Sequence, residues 1–268
     1  MKKINKKTVR KIIRLKRKGL HIHEISSKLG ISDRMVNKYS KNFPHPKRKI
    51  IKEIPAKAKK LSKEKSEILG YLCSEGCQHN NPYINNSYDQ RRGKTYILIR
   101  RTSRILFSNT DKIIQDRFIY LMKKIYDYKL NPDKRGNFYI ARKKVVEDLH
   151  KYSNFGSHSW SVPKKLFNEK FRKQSIYFIR AFCDGDATIE KKQGEVRIDS
   201  TNHRSLKDLS KLIKVVGIPN KCYQFNSRSR IIIKDIEKYL KTVSFIHPNK
   251  LKNLKKLSAE RRNFVAFD

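Results

Sequence analysis

The chain has 268 residues, and 65 Lys and Arg against 24 Asp and Glu give it a formal net charge of +41 and a pI near 10.2. A balance this lopsided repels itself and implies a polyanionic partner, nucleic acid first, bound through phosphate contacts and counterion release. The length allows one two-lobed core plus a small appendage; no apolar run approaches a membrane span, and the basic N-terminus lacks the apolar segment of a signal peptide.

Residues 1–43 form the first unit. Val9, Ile12, Ile13 and Leu15 space an amphipathic helix that Gly19 closes, and Ile22, Ile25 and Leu29 share a face of a second helix. Gly30 turns the chain, Ser32 caps a third helix, and Ile31, Met35, Val36 and Tyr39 are its buried side. The pattern resembles the helix-turn-helix of resolvase and homeodomain-like proteins. That resemblance places Asp33, Arg34, Asn37 and Lys38 on the exposed side of a recognition helix facing the major groove. Residues 44–60, with two early prolines and many lysines, read as a basic linker.

The main part of the chain is expected to be α+β and to run as two similar modules, 61–160 and 161–268. Residues 78–94 read as a polar loop, Thr95–Ile99 and Ile105–Phe107 as strands, and Asp111–Tyr126 as a helix. A short strand at Phe138–Ala141 and a helix from Val145 follow. The second module repeats the order: strand Val196–Asp199, helix Leu206–Val216, strand Ile231–Ile233, helix Asp235–Leu240. An offset of 91 places Ile140 on Ile231, Val145 on Ile236 and Leu149 on Leu240. The stretch Cys222–Arg230 reads as one strand. Period two then sets Gln224, Asn226, Arg228 and Arg230 on an outer face, with Tyr223 and Phe225 against the core. Gln, Asn and Arg read base edges by bidentate hydrogen bonds, and Arg197 alternates with Asp199 on a neighbouring strand.

Two copies of one motif organise these modules. Ile176–Glu190, IYFIRAFCDGDATIE, is an apolar helix ending on Asp184 and Asp186; Ser66–Gly76, SEILGYLCSEG, matches it position by position. Gly70 falls on Ala181, Ser74 on Gly185 and Glu75 on Asp186. Each copy has small residues four apart, so two such helices can pack backbone to backbone and bring Glu75 and Asp186 together. Carboxylates at a helix C-terminus face the negative end of the macrodipole, which suggests a compensating ligand, a hard divalent cation being the simplest. The four cysteines, Cys73, Cys77, Cys183 and Cys222, lack C-x-x-C spacing and read as small hydrophobes in a reducing compartment; the eight scattered His are assigned no ligand role.

The paired motifs resemble the two signatures of single-chain LAGLIDADG homing endonucleases, over roughly Leu61 to the C-terminus. The resemblance implies two pseudo-symmetric modules forming a DNA-binding saddle, and Glu75 and Asp186 as ligands for Mg2+, with Mn2+ as a substitute. It further implies site-specific double-strand cleavage of a long asymmetric DNA site, by a monomer. The first motif has Glu75 where Asp is usual, and the second Ala187 where Gly is usual; a positive φ at Ala187 would cost about 1 kcal/mol. Family members place a basic residue near the strand-to-helix junction, and offset 91 pairs Lys143 with Lys234 there as candidates for polarising phosphate. Phe245-Ile-His-Pro-Asn-Lys resembles the family's closing segment.

Two other readings fit the same resemblance: a transcription regulator keeping the fold as a DNA platform, and a maturase folding structured intron RNA on the saddle. Retention of both acids argues against each. No intein junction is seen, so a free-standing enzyme is expected, in the cytoplasm or nucleoid or, alternatively, an organellar matrix.

Overall fold

The computed structural model describes residues 5–18, 20–41, 53–79, 82–89, 94–101 and 103–265, with the backbone alone for 82–89, 94–101 and 261–265. The chain divides after Lys52 into two compact units. Gly19, expected to close the first helix, and most of the expected linker lie outside the described residues.

The first unit holds three helices, α1 (Lys6–Arg17), α2 (Ile22–Leu29) and α3 (Asp33–Ser40). Ile12, Ile25 and Val36, one from each, form its small core. Gly30 ends α2 at φ 61°, a left-handed conformation that glycine adopts without steric cost. Ser32 then accepts from the Met35 N–H, satisfying a donor that α3 leaves open.

The second unit opens with residues 53–60, which belong to it rather than to a linker: Ala58 is buried and its carbonyl accepts from Lys65 Nζ at 2.7 Å. Helix α4 (Lys63–Glu75) follows, then strand β1 (Gly76–His79), β2 (Pro82–Asp89), β3 (Lys94–Arg101) and β4 (Arg104–Phe107). Helix α5 (Lys112–Tyr126), β5 (Phe138–Ile140) and α6 (Lys143–His150) complete the first half. The second half has α7 (Arg172–Asp186), β6 (Ala187–Glu190), β7 (Glu195–Ser200) and α8 (His203–Val215). After these come β8 (Lys221–Gln224), β9 (Ser229–Ile233), α9 (Ile236–Thr242) and α10 (Pro248–Val265). Among the described residues no helix is long and apolar enough to cross a membrane.

The halves share one plan. Antiparallel sheets run β1-β4-β5 in the first and β6-β7-β9-β8 in the second, each preceded by a motif helix. The expected polar loop at 78–94 is where they differ: Pro82–Asp89 pairs with Lys94–Arg101 in a long hairpin inserted between β1 and β4. The tight turn 191–194 takes its place in the second half.

Helix α4 is buried all round from Lys65 to Cys73, so the charges it carries there need partners inside. Lys65, fully buried, meets Asp148 Oδ2 at 2.6 Å, and the Tyr126 hydroxyl donates to the same oxygen at 2.8 Å. Glu67 receives Arg117 bidentately, at 2.6 and 2.8 Å. These pairs tie α4 to α5 and α6 at fixed positions.

Candidate active site at the ends of two packed helices

Helices α4 and α7 approach through their glycines. A Cβ placed on Gly70 would stand 2.8 Å from Ala181 Cβ and 3.1 Å from the Phe182 nitrogen, and closer still to the Phe178 carbonyl oxygen. One turn on, a Cβ on Gly185 would stand 2.9 Å from Glu75 Oε1 and against Ser74. Gly70 therefore faces Ala181, and Gly185 faces Ser74, in the register read from the motifs. Glu75 and Asp186 finish side by side at the same end.

Their environment favours the protonated form. Surrounding protein pushes the Asp186 carboxyl up to about 7, with the Glu75 carboxylate as the second cause and Lys250 pulling it back. Asp186 nonetheless opens to solvent, so water screens part of this charge. Glu75 is half-buried; burial raises its carboxyl, while a hydrogen bond from Asn109 and the Lys250 charge lower it. Two carboxyls crowded beside a single ammonium make an acid-rich mouth in a strongly basic protein.

Lys250 was not singled out by residue type in a chain with 65 basic side chains. Its ammonium donates to the carbonyls of Asp184 at 2.7 Å, Cys183 at 3.2 Å and Gly185 at 3.3 Å, so it caps the C-terminus of α7. The compensating charge expected of a bound cation is thus partly supplied by α10. Asp184 is likewise spent inside: its carboxylate accepts from the Ile246 N–H at 3.0 Å and the His247 N–H at 3.1 Å. Burial still lifts Asp184 to about 6. His247 Nε2 meets Asp111 Oδ2, at the cap of α5, at 2.5 Å, so this closing segment joins both halves beneath the acids. The signal for Lys250 was the segment Phe245–Lys250 together with a helix end lacking its cation. Ala187 has φ −79°, ordinary extended backbone, so no strain arises there.

Lys143 and Lys234 sit at the strand-to-helix junctions as the offset required. Lys143 is 86% exposed and lies 3.7 Å from Glu147. Lys250 is the cation whose charge lowers both carboxyls.

The expected strand Cys222–Arg230 is a hairpin. The Phe225 N–H donates to the Arg228 carbonyl at 2.8 Å, reversing the chain, so parity does not carry across. Tyr223 pairs with Arg230 and shares its face; Gln224 pairs with buried Ser229 and takes the opposite one. Tyr223 and Phe225 are exposed, at 43% and 48%, because β8 is the sheet's edge. Asn226 and Arg228 stand exposed in the turn. On the face away from the helices, Arg230 is held bidentately by Asp199 and Arg197 lies between Glu195 at 2.6 Å and Glu190 at 3.5 Å. That face is charge-balanced, not cationic. In the first unit Arg34, Asn37 and Lys38 are exposed on α3.

Residues 173–243, which include the α7 motif and most of the second half, match the LAGLIDADG-like domain. The fold of the chain is similar to that of I-DmoI. I-DmoI in complex with DNA and Ca superposes with a TM-score of 0.51 at 12% identity, covering 73% of this chain and 98% of that one. Mesophilic variants of the homing endonuclease I-DmoI give 0.50 at 15%, with the same coverage. Full-length DUF199/WhiA from Thermotoga maritima gives 0.45 at 14%, over 81% of this chain and 68% of that one. No curated protein sequence matches the chain.

The acids carry a pH consequence. Asp186 ionises near 3.8 when unfolded and near 7 in the folded site, so the folded state holds its proton more tightly. Stability from that proton is whole below about pH 4 and is lost as pH rises through about 7. Between about pH 5 and about pH 8, the Tm of metal-free protein is expected to fall more steeply than that of Asp186→Asn, which has no proton to release. Parallel slopes would contradict the shift.

Proposed function

We propose that the protein is a site-specific, divalent-metal-dependent DNA endonuclease of the single-chain, two-motif LAGLIDADG type, with an N-terminal helix-turn-helix. The observation that carries this is the meeting of Glu75 and Asp186 at one end of a glycine-packed helix pair. A pair built for stability alone would not crowd two carboxylates.

The donor set fits Mg2+ or Mn2+. Two hard carboxylates leave most coordination positions to water and phosphate, the usual arrangement for Mg2+; among the described residues no cluster of three His, Cys, Asp or Glu closes the site. Bound there, such ions would supply Lewis acidity toward a phosphodiester and a more acidic water. The I-DmoI structure sharing this fold holds DNA and a divalent ion.

The chain's own groups set the stage for that chemistry. Glu75 and Asp186 hold negative charge at the mouth, Asn109 orients Glu75, and Lys250 fixes the α7 end while offering a positive charge beside the phosphate. Lys143 and Lys234 remain proposed phosphate contacts at the two junctions. Arg197, Arg230, Asn226 and Arg228 would meet duplex DNA from β7, β9 and the β8–β9 turn. Glu190, Glu195 and Asp199 among them suit cytosine amino groups. Gln224, on the other face, would reach only the flank.

Arg34, Asn37 and Lys38 of α3 would add a second contact with the same DNA. Removing residues 1–46 is expected to weaken duplex binding yet leave cleavage at high protein concentration, because both acids lie in the second unit. A folded truncation that no longer nicks would contradict this. The whole reading is tested by selecting cleaved sites from a randomised duplex library with Mg2+; tight binding without cleavage would favour the regulator.

A further inference from the structure

The open face of the second sheet is balanced, so the surplus of positive charge must lie elsewhere. One concentration of it lies behind the sheet. Between α8 and the segment 150–167 joining the two halves runs a cleft of about 870 Å3. Lys151, Lys164, Lys165, Arg204 and Lys211 line it against a single carboxylate, Asp208. Lys211 lies 3.3 Å from Asp208 and Lys151 4.0 Å from Asp148. Lys164, Lys165 and Arg204 have no carboxylate within ion-pair distance among the described residues.

Elsewhere in this unit the exposed lysines Lys112, Lys123 and Lys256 each sit beside an acid four residues along. Converging cations without such partners repel one another, and a polyanion offsets that repulsion. The walls are fixed before any ligand arrives. Asn202 caps α8 and donates to the Trp160 carbonyl at 2.9 Å, while Ser153 Oγ bonds the Ser161 carbonyl at 2.7 Å. The α8 N-terminus adds a dipole of the same sign.

We propose that this cleft binds the phosphodiester backbone of a single strand, separate from the duplex on the open faces. The volume suits a nucleotide-sized stretch and excludes a double helix. Leu206, Leu209 and Ile213 of α8 are buried toward the sheet side that carries Ile198 and Ile231, opposite Arg197 and Arg230. Strand and duplex would therefore bind on opposite sides of one sheet, at the same time. From the proposed function this takes only that duplex occupies the open faces.

The test measures anisotropy of labelled single-stranded RNA and DNA of about 12 nucleotides on protein saturated with unlabelled duplex. Wild type should bind. The triple variant Lys164→Ala, Lys165→Ala, Arg204→Ala should bind at least about tenfold more weakly, with a salt slope smaller by about 2. Lys112→Ala, Lys123→Ala, Lys256→Ala removes the same net charge and should stay within about twofold. Tighter binding of RNA than of DNA would assign the strand to RNA, and equal binding to the shared backbone. Equal weakening in both triple variants, or no binding to saturated wild type, would overturn the proposal. If duplex itself does not bind, the proposed function fails, and the same two variants titrated without duplex still decide the cleft.

Discussion

Gly70→Ala is expected to destabilise the second unit by about 1–3 kcal/mol, although alanine is the better helix former by about 1 kcal/mol. The new methyl would stand 2.8 Å from Ala181 Cβ and nearer still to the Phe178 carbonyl. The obstacle is largely backbone, which cannot rotate away, so α4 and α7 must separate along their whole contact. Overpacking outweighs propensity. Gly70→Val should prevent folding. Trp160, the only tryptophan in the sequence, is buried and packs on Phe182 with ring centroids 4.8 Å apart, so its fluorescence in urea reads this interface. Ala181→Gly removes one of the clashing atoms and should partly rescue Gly70→Ala, with a coupling above about 0.5 kcal/mol in the cycle. Unchanged or raised stability of Gly70→Ala would mean that the helices are not this close.

What the sequence made legible was the repeat. Matched small residues and matched acids are a pairwise statement, and pairing determines register: Gly70 on Ala181, Ser74 on Gly185. Helix α5 and strands β4, β5, β7 and β9 were legible for a related reason, since each buries one regular face. Strand β8 was not. Every residue of it is exposed at the sheet edge, so no burial alternates, and the Asn226–Ser227 turn hid inside an apparent period of two. Strand β2 escaped in the same way, its polar residues reading as loop although its backbone pairs with β3. Lys250 and Asn109 escaped because their roles arise across sequence separations of 65 and 34 residues, which no local pattern encodes. Asp184, legible only as a second acid at the helix end, escaped for the same reason, since it holds two backbone N–H groups of the distant closing segment.

Glu75→Gln with Asp186→Asn is expected to abolish cleavage while leaving the helix pair intact. Both changes are nearly isosteric, and neither touches Gly70, Ser74, Ala181 or Gly185. They remove both negative charges from the mouth, and with them the hold on a divalent ion; the loss should exceed about a thousandfold, about 4 kcal/mol of transition-state stabilisation. Affinity for the DNA site should stay the same or rise, because charge repelling phosphate is gone. Retained binding separates a lost active site from a lost fold.

The most direct measurement is digestion of supercoiled plasmid carrying one selected site, with Mg2+ and with EDTA. Wild type should linearise it with Mg2+ alone, and the double variant should leave it supercoiled while binding the site as tightly. Wild type that binds yet cuts neither strand with Mg2+ or Mn2+, or a double variant that cuts as fast as wild type, would contradict the assignment of Glu75 and Asp186 as the centre of a nuclease.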